Sequence, residues 1–138
     1  MRPRLLLLGL LLTLTPAAPA APAPDPVLTN GLQAYVTNGL LSCLEIWYVG
    51  QPKLAAEMAA TIAPTTKGLG AVLDTEVIAT QSISRRLTRY YVAVYFDRGP
   101  LWIQIDRYTG RDRSFFLPLK FSLDSDAILP GYLTDFVS

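Results

Sequence analysis

No histidine occurs in the 138 residues. That absence removes the Ser-His-Asp and Cys-His mechanisms, and with them the imidazole ligands on which many protein metal sites rest. Cysteine occurs once, at Cys43, so no internal disulfide can form and the fold must be held by its core. Cys43 lies on an apolar stripe of helical spacing and is read as a small core side chain rather than a nucleophile, because reactivity needs exposure and a lowered pKa. The G-x-S-x-G elbow, the phosphate-binding loop, the dinucleotide-binding glycine pattern and the EF-hand loop are also missing. Asp124-Ser125-Asp126 is a close carboxylate pair. Without further oxygen ligands in spacing it is read as a turn and helix cap, not a calcium site.

Long apolar runs are missing too, except at the start. Arg2 and Arg4 precede an apolar stretch from Leu5 to Leu14, which Pro16 and alternating Ala and Pro then end. A run of about ten residues suits a secretory signal peptide, whereas a membrane-spanning helix needs about twenty. Ala18 and Ala20 supply the small residues of a cleavage site, which places the cut after Ala20 and leaves no membrane anchor. The expectation is an exported protein, periplasmic or extracellular, with a mature chain of about 118 residues, enough for one domain with a real core. Removing residues 1–20 takes Arg2 and Arg4 from the 12 basic residues and none from the 11 acidic ones, so the net charge falls from +1 to −1. Such a balance implies neither a general nucleic-acid binder nor a seeker of acidic surfaces.

Residues 21–26 form a stiff Pro/Ala-rich lead-in, and residues 27–138 are expected to form a single domain. Asp25 and Pro26 suit the N-cap and first position of a helix. Apolar residues then recur every three or four positions from Leu28 to Trp47, which predicts one long helix, in which Gly31 and Gly39 mark either close packing or a bend near Asn38-Gly39. Gly50 stops it. Pro52–Ile62 predicts a second, shorter helix, ended by Pro64. After Gly70 the period changes to alternation, and strands are expected at about Ala71–Ser82, Arg86–Asp97, Leu101–Tyr108 and Phe115–Leu123, joined as an antiparallel meander.

The alternation sorts the strand residues by face. Tyr90, Val92, Val94 and Phe96 share a side, as do Leu101, Ile103 and Ile105, and Phe115, Leu117, Leu119 and Phe121. The opposite side mixes Tyr91, Tyr95, Trp102, Asp106, Tyr108 and Phe116 with polar residues. The expected fold is therefore α+β, with a long N-terminal helix and a second helix on the apolar face of a curved four-stranded antiparallel sheet.

Asn38-Gly39, Trp47-Tyr48, Tyr91, Gly99-Pro100, Tyr108, Phe121 and Ile128-Leu129-Pro130 stand in an order and spacing that resembles short secreted bacterial proteins of the nuclear-transport-factor-2-like, or cystatin-like, superfamily. The resemblance covers residues 30–130. The chain departs from it at Ser114, where a Trp is usual, and at Ser122, where an Asn is usual. It implies a pocket between helix and sheet, in which Trp47 and Tyr48 are the expected ligand contacts. The superfamily holds dehydratases, isomerases and non-catalytic binding or dimerising modules, so fold alone does not choose.

No catalytic residue is assigned from the residues themselves. Asp106 and Tyr108 are the one pair able to move a proton without His, and their spacing puts them on one side of a strand. The cluster Arg85, Arg86, Arg89, Arg98, Arg107, Arg111 and Arg113, offset by Asp97, Asp106 and Asp112, is read as solvated strand and turn residues rather than a nucleic-acid surface. The expectation is a non-catalytic module, without cofactor or metal, whose face bearing Tyr91, Tyr95, Trp102 and Phe116 meets a second copy or another exported protein. Its alternatives are a small-molecule pocket at Trp47 and Tyr48, or a His-free enzyme using Asp106 and Tyr108.

Overall fold

A computed structural model describes residues 25–135. The expected signal peptide, residues 1–20, and residues 21–24 lie outside the described residues. The elements run α1 (Pro26–Asn38), α2 (Leu40–Trp47), α3 (Pro52–Thr66), β1 (Val72–Ser84), β2 (Leu87–Phe96), β3 (Gly99–Thr109), β4 (Ser114–Phe116), β5 (Lys120–Ser122), a 3-10 turn (Ser125–Ala127) and the single-turn α4 (Gly131–Thr134). This is an α+β fold with an entirely antiparallel sheet. Among the described residues no helix is long and apolar enough to cross a membrane.

Asp25 caps α1 as expected, its Oδ1 accepting from the Val27 amide at 2.8 Å. The single long helix is not found. Gly39 adopts φ +98° and ψ −179°, a conformation open to glycine and costly for other residues. The chain reverses there, and Trp47 at the end of α2 reaches back to Leu28 and Gly31 near the start of α1. The apolar stripe is thus shared by two helices of a hairpin. Pro64 does not end α3, which runs on to Thr66. A proline in the last turn sacrifices only one helical hydrogen bond, so the helix survives it.

The two long hairpins of the sheet follow the alternation. β2 and β3 pair without a bulge from Leu87↔Tyr108 to Phe96↔Gly99, and β1 pairs with β2 across three register irregularities. The expected fourth strand is two short ones. β4 pairs with the end of β3 at Arg107–Thr109, and β5 with its middle at Trp102–Gln104. Pro118 lies between them, and with no N–H to give the ladder it interrupts the strand. The interruption shifts the alternation by one residue. Phe116 therefore faces inward with Leu119 and Phe121, while Phe115 is only half-buried and Leu117 lies in the interruption.

The main core lies between the helices and one sheet face. Leu28, Leu32, Tyr35, Cys43, Leu44 and Trp47 meet Tyr90, Val92, Val94, Leu101, Ile103, Ile105 and Phe116 there. On the other face the C-terminal segment returns across the sheet, and Ile128 and Leu129 bury Tyr91 beside Trp102. That face is consequently covered in part by the chain itself.

Candidate functional site

Neither residue of the pair expected to handle protons lines the cleft described below. Asp106 lies opposite Arg89 in the β2–β3 register, and its two oxygens accept from Arg89 Nε at 2.9 Å and Nη2 at 3.0 Å. Those charge-assisted bonds are the main cause that holds the Arg89 proton more firmly than usual. Tyr108 packs on its cross-strand neighbour Phe115, ring centroids 5.5 Å apart. Asp106 is a structural ion-pair partner in this geometry.

Trp47 and Tyr48 are both buried in the core, and of the two only Trp47 also borders the cleft described below. The Trp47 indole donates to the Leu28 carbonyl at 3.1 Å, and the Tyr48 hydroxyl donates to the Leu117 carbonyl at 3.0 Å. Tyr48 thereby ties the end of α2 to the interruption between β4 and β5. Burial is the chief reason its phenol is pushed well above the usual range, as it is for Tyr35 and for the Cys43 thiol.

The expected aromatic partner surface loses two of its four members. Tyr91 is buried under Ile128 and Leu129, and Phe116 is in the main core, because the Pro118 interruption reverses its side. Tyr95 is half-buried and donates to Glu76 Oε2 at 2.7 Å; that bond is the largest cause that pushes its phenol up to about 12. Trp102 is half-buried against the Ile128–Leu129 cluster.

What the fold does assemble is a cleft at the end of the sheet, about 230 Å³ in volume. Trp47 from α2, Gln51 ahead of α3, Arg107 from β3, and Arg113, Ser114 and Phe115 around the β3–β4 turn line it. Val27 and Val49 complete the wall. Arg107 follows Leu101, Ile103 and Ile105 on the inward face of β3, so the strand that builds the core ends in a charge. Its guanidinium carbon lies 4.7 Å from the centre of the Phe116 ring, the residue paired with it across the ladder. Its Nε is buried and 3.1 Å from Asp25 Oδ2, but finds no aligned hydrogen-bond acceptor among the described residues. Asp25 thus faces two ways, capping α1 with one oxygen and pairing with Arg107 through the other. The Arg113 guanidinium carbon sits 5.4 Å from the centre of the Phe115 ring.

No protein-family model matches this chain, and no curated protein or solved structure matches it.

The chemistry of the cleft follows from its residues. Two guanidinium groups against the single carboxylate of Asp25 leave an excess of one positive charge beside indole, phenyl and valine surface. Stacking on a ring fixes the plane of a guanidinium and leaves its in-plane N–H groups free for a ligand. The lining holds no carboxylate, thiol or phenol. A larger depression, about 510 Å³, lies at the β1–β2 turn, but its four lining residues, Ser84, Arg85, Arg86 and Thr109, are all exposed and enclose nothing. Among the described residues no three acidic or cysteine side chains come together as metal ligands.

Arg107 was hidden among seven arginines when the cluster was judged by composition. The alternation Leu101, Ile103, Ile105, Arg107 carried the signal, since continuing it by one step places a charge on the core side of the sheet.

Proposed function

We propose that this chain is an exported, non-catalytic binding protein that holds a small molecule in the cleft between Trp47 and Arg107. The observation that carries this reading is the position of Arg107. A cationic side chain only 17% exposed, laid on Phe116 at the end of an otherwise apolar face, opens into a walled cavity rather than onto the free surface. Pockets that bind small molecules combine mostly apolar walls with a few polar groups that fix orientation, and this cleft has that composition. The helices laid on one face of an antiparallel sheet support membership of the cystatin-like superfamily, and the leader at residues 1–20 supports export.

The reading as a dimerising or partner-binding module draws on Tyr95 and Trp102, which retain partial exposure on the other face. It has less support, because the chain's own C-terminal segment occupies part of that surface. An enzyme built on Asp106 has less still, given the bidentate pair with Arg89.

The chain has two tryptophans, Trp47 and Trp102, on opposite faces of the sheet. In ¹⁵N-labelled protein their indole N–H signals report the two faces separately. A fragment screen is expected to yield compounds that shift the Trp47 indole and leave that of Trp102 in place. Fragments that move only Trp102, or a solution mass of twice the chain with Trp102 shielded, would favour the partner-binding reading instead.

A further inference from the structure

We propose that the ligand is a small organic acid, with one carboxylate on an apolar or aromatic body, whose carboxylate is held by Arg107 and Arg113. This rests on the binding reading above and names the ligand class for the same cleft.

Charge selects an anion, and its magnitude selects a monoanion. Arg107 and Arg113 contribute two positive charges and Asp25 removes one. A single carboxylate brings the cleft to neutrality, whereas a phosphate or sulfate dianion would leave an uncompensated negative charge against indole and phenyl surface, which is costly in a partly dry site. Geometry selects a carboxylate among monoanions. Guanidinium groups present planar forks of N–H donors that match the two oxygens of a carboxylate, and here each fork is backed by a ring, Phe116 under Arg107 and Phe115 beside Arg113.

The Nε of Arg107 is buried and lies 3.1 Å from Asp25 Oδ2, so the ion pair holds the guanidinium in place at the mouth of the cleft before any ligand arrives. The walls select the body of the ligand. Trp47, Val27 and Val49 offer apolar surface in the same cleft. A volume of about 230 Å³ equals roughly eight waters at their liquid density. That room suits an aromatic or short aliphatic acid and excludes a nucleotide or a folded peptide.

The test uses the mature chain, labelled with ¹⁵N, and three probes: phenylacetate, its neutral amide phenylacetamide, and sulfate. Phenylacetate is expected to shift the Trp47 indole signal, to leave Trp102 unmoved, and to bind about tenfold more tightly than the amide, the loss of one charge-assisted contact. Arg113→Gln, at an exposed position that the fold does not need, is expected to remove most of that preference while leaving the spectrum otherwise folded. Equal binding of acid and amide at Trp47 would overturn the carboxylate proposal and leave the binding reading standing. Sulfate binding as tightly as phenylacetate would overturn the organic body. No shift of Trp47 with any probe up to about 10 mM, the weak end of specific binding, would overturn the binding reading itself.

Discussion

The indole of Trp47 occupies the space that a side chain at Gly31 would need: a Cβ built at Gly31 collides with its Nε1 and Cδ1. The same indole donates to Leu28, so the hairpin of α1 and α2 is closed by one aromatic ring lying on glycine. In an ordinary helix, replacing glycine with alanine stabilises by about 1 kcal/mol. Here the gain is outweighed by overpacking. Gly31→Ala is expected to destabilise the protein by about 1–3 kcal/mol, measured by urea denaturation. A stabilised variant would show that the indole yields freely.

At Gly39 the cost has another origin, because nothing lies within 4 Å of a Cβ placed there and only the positive φ opposes it. Gly39→Ala is expected to lose about 1–3 kcal/mol from backbone strain alone. D-Alanine introduced at the same position by chemical ligation should restore the stability, since it prefers the mirror-image backbone. Equal losses from the two enantiomers would rule out strain as the cause.

The start of α1 and the faces of β2 and β3 were legible because each depends on near neighbours: Asp25 before Pro26, the period-two facing of successive strand residues from Tyr90 to Phe96, and the recurrence of Leu101, Ile103 and Ile105. At Gly39 the bend was legible from Asn38-Gly39 but the full reversal was not, since a stripe spaced by three and four looks the same whether one helix buries it or two folded together do. Phe116 was assigned to the wrong face because Pro118 changes the parity of the strand, and counting by twos cannot see an interruption. Tyr91 was expected at the surface because its cover, Ile128 and Leu129, arrives from nearly forty residues further along the chain. Arg107, the residue on which the candidate site depends, was legible in the alternation and obscured by its company.

Asp106 offers a test of structural against chemical roles. Its two bonds to Arg89 join a half-exposed guanidinium to a carboxylate across neighbouring strands. Asp106→Asn is expected to cost about 1 kcal/mol, as for a well-formed ion pair near the surface, and to leave binding of phenylacetate at Trp47 within a factor of about two, the scale of a site with no shared partners. A large fall in affinity without loss of stability would bring Asp106 back into the site.

Export is tested on the chain expressed with its own leader in a secreting host. The positive start, the apolar run of about ten residues and the small residues at Ala18 and Ala20 set the expectation that the exported species begins near Ala21. Intact mass decides the matter: a secreted protein that retains residues 1–20 would contradict it.

The buried acids set the alkaline limit of the fold. Burial is the first cause that pushes Tyr35, Tyr48, Tyr90 and the Cys43 thiol upward, and the hydrogen bond to Glu76 is the first cause for Tyr95, raised to about 12. In each case the folded state holds its proton more tightly than the unfolded chain does. Between the unfolded and folded pKa values the native protein therefore binds more protons, and stability falls as pH rises. These contributions are complete below the unfolded thiol value of about 8.5. They begin to fade above it for Cys43 and above about 10 for the phenols. Urea midpoints should accordingly show no loss from these groups between about pH 7 and 8, then a steepening loss beyond about pH 10. Phenolate absorbance gives the independent check: Tyr35, Tyr48, Tyr90 and Tyr95 should be missing from the reversible step near pH 10 and emerge only with unfolding, as should the reactivity of Cys43 toward disulfide reagents. If all seven tyrosines titrate together while the protein stays folded, the packing of Tyr35 and Tyr48 against the helices and sheet is looser than the structure has it.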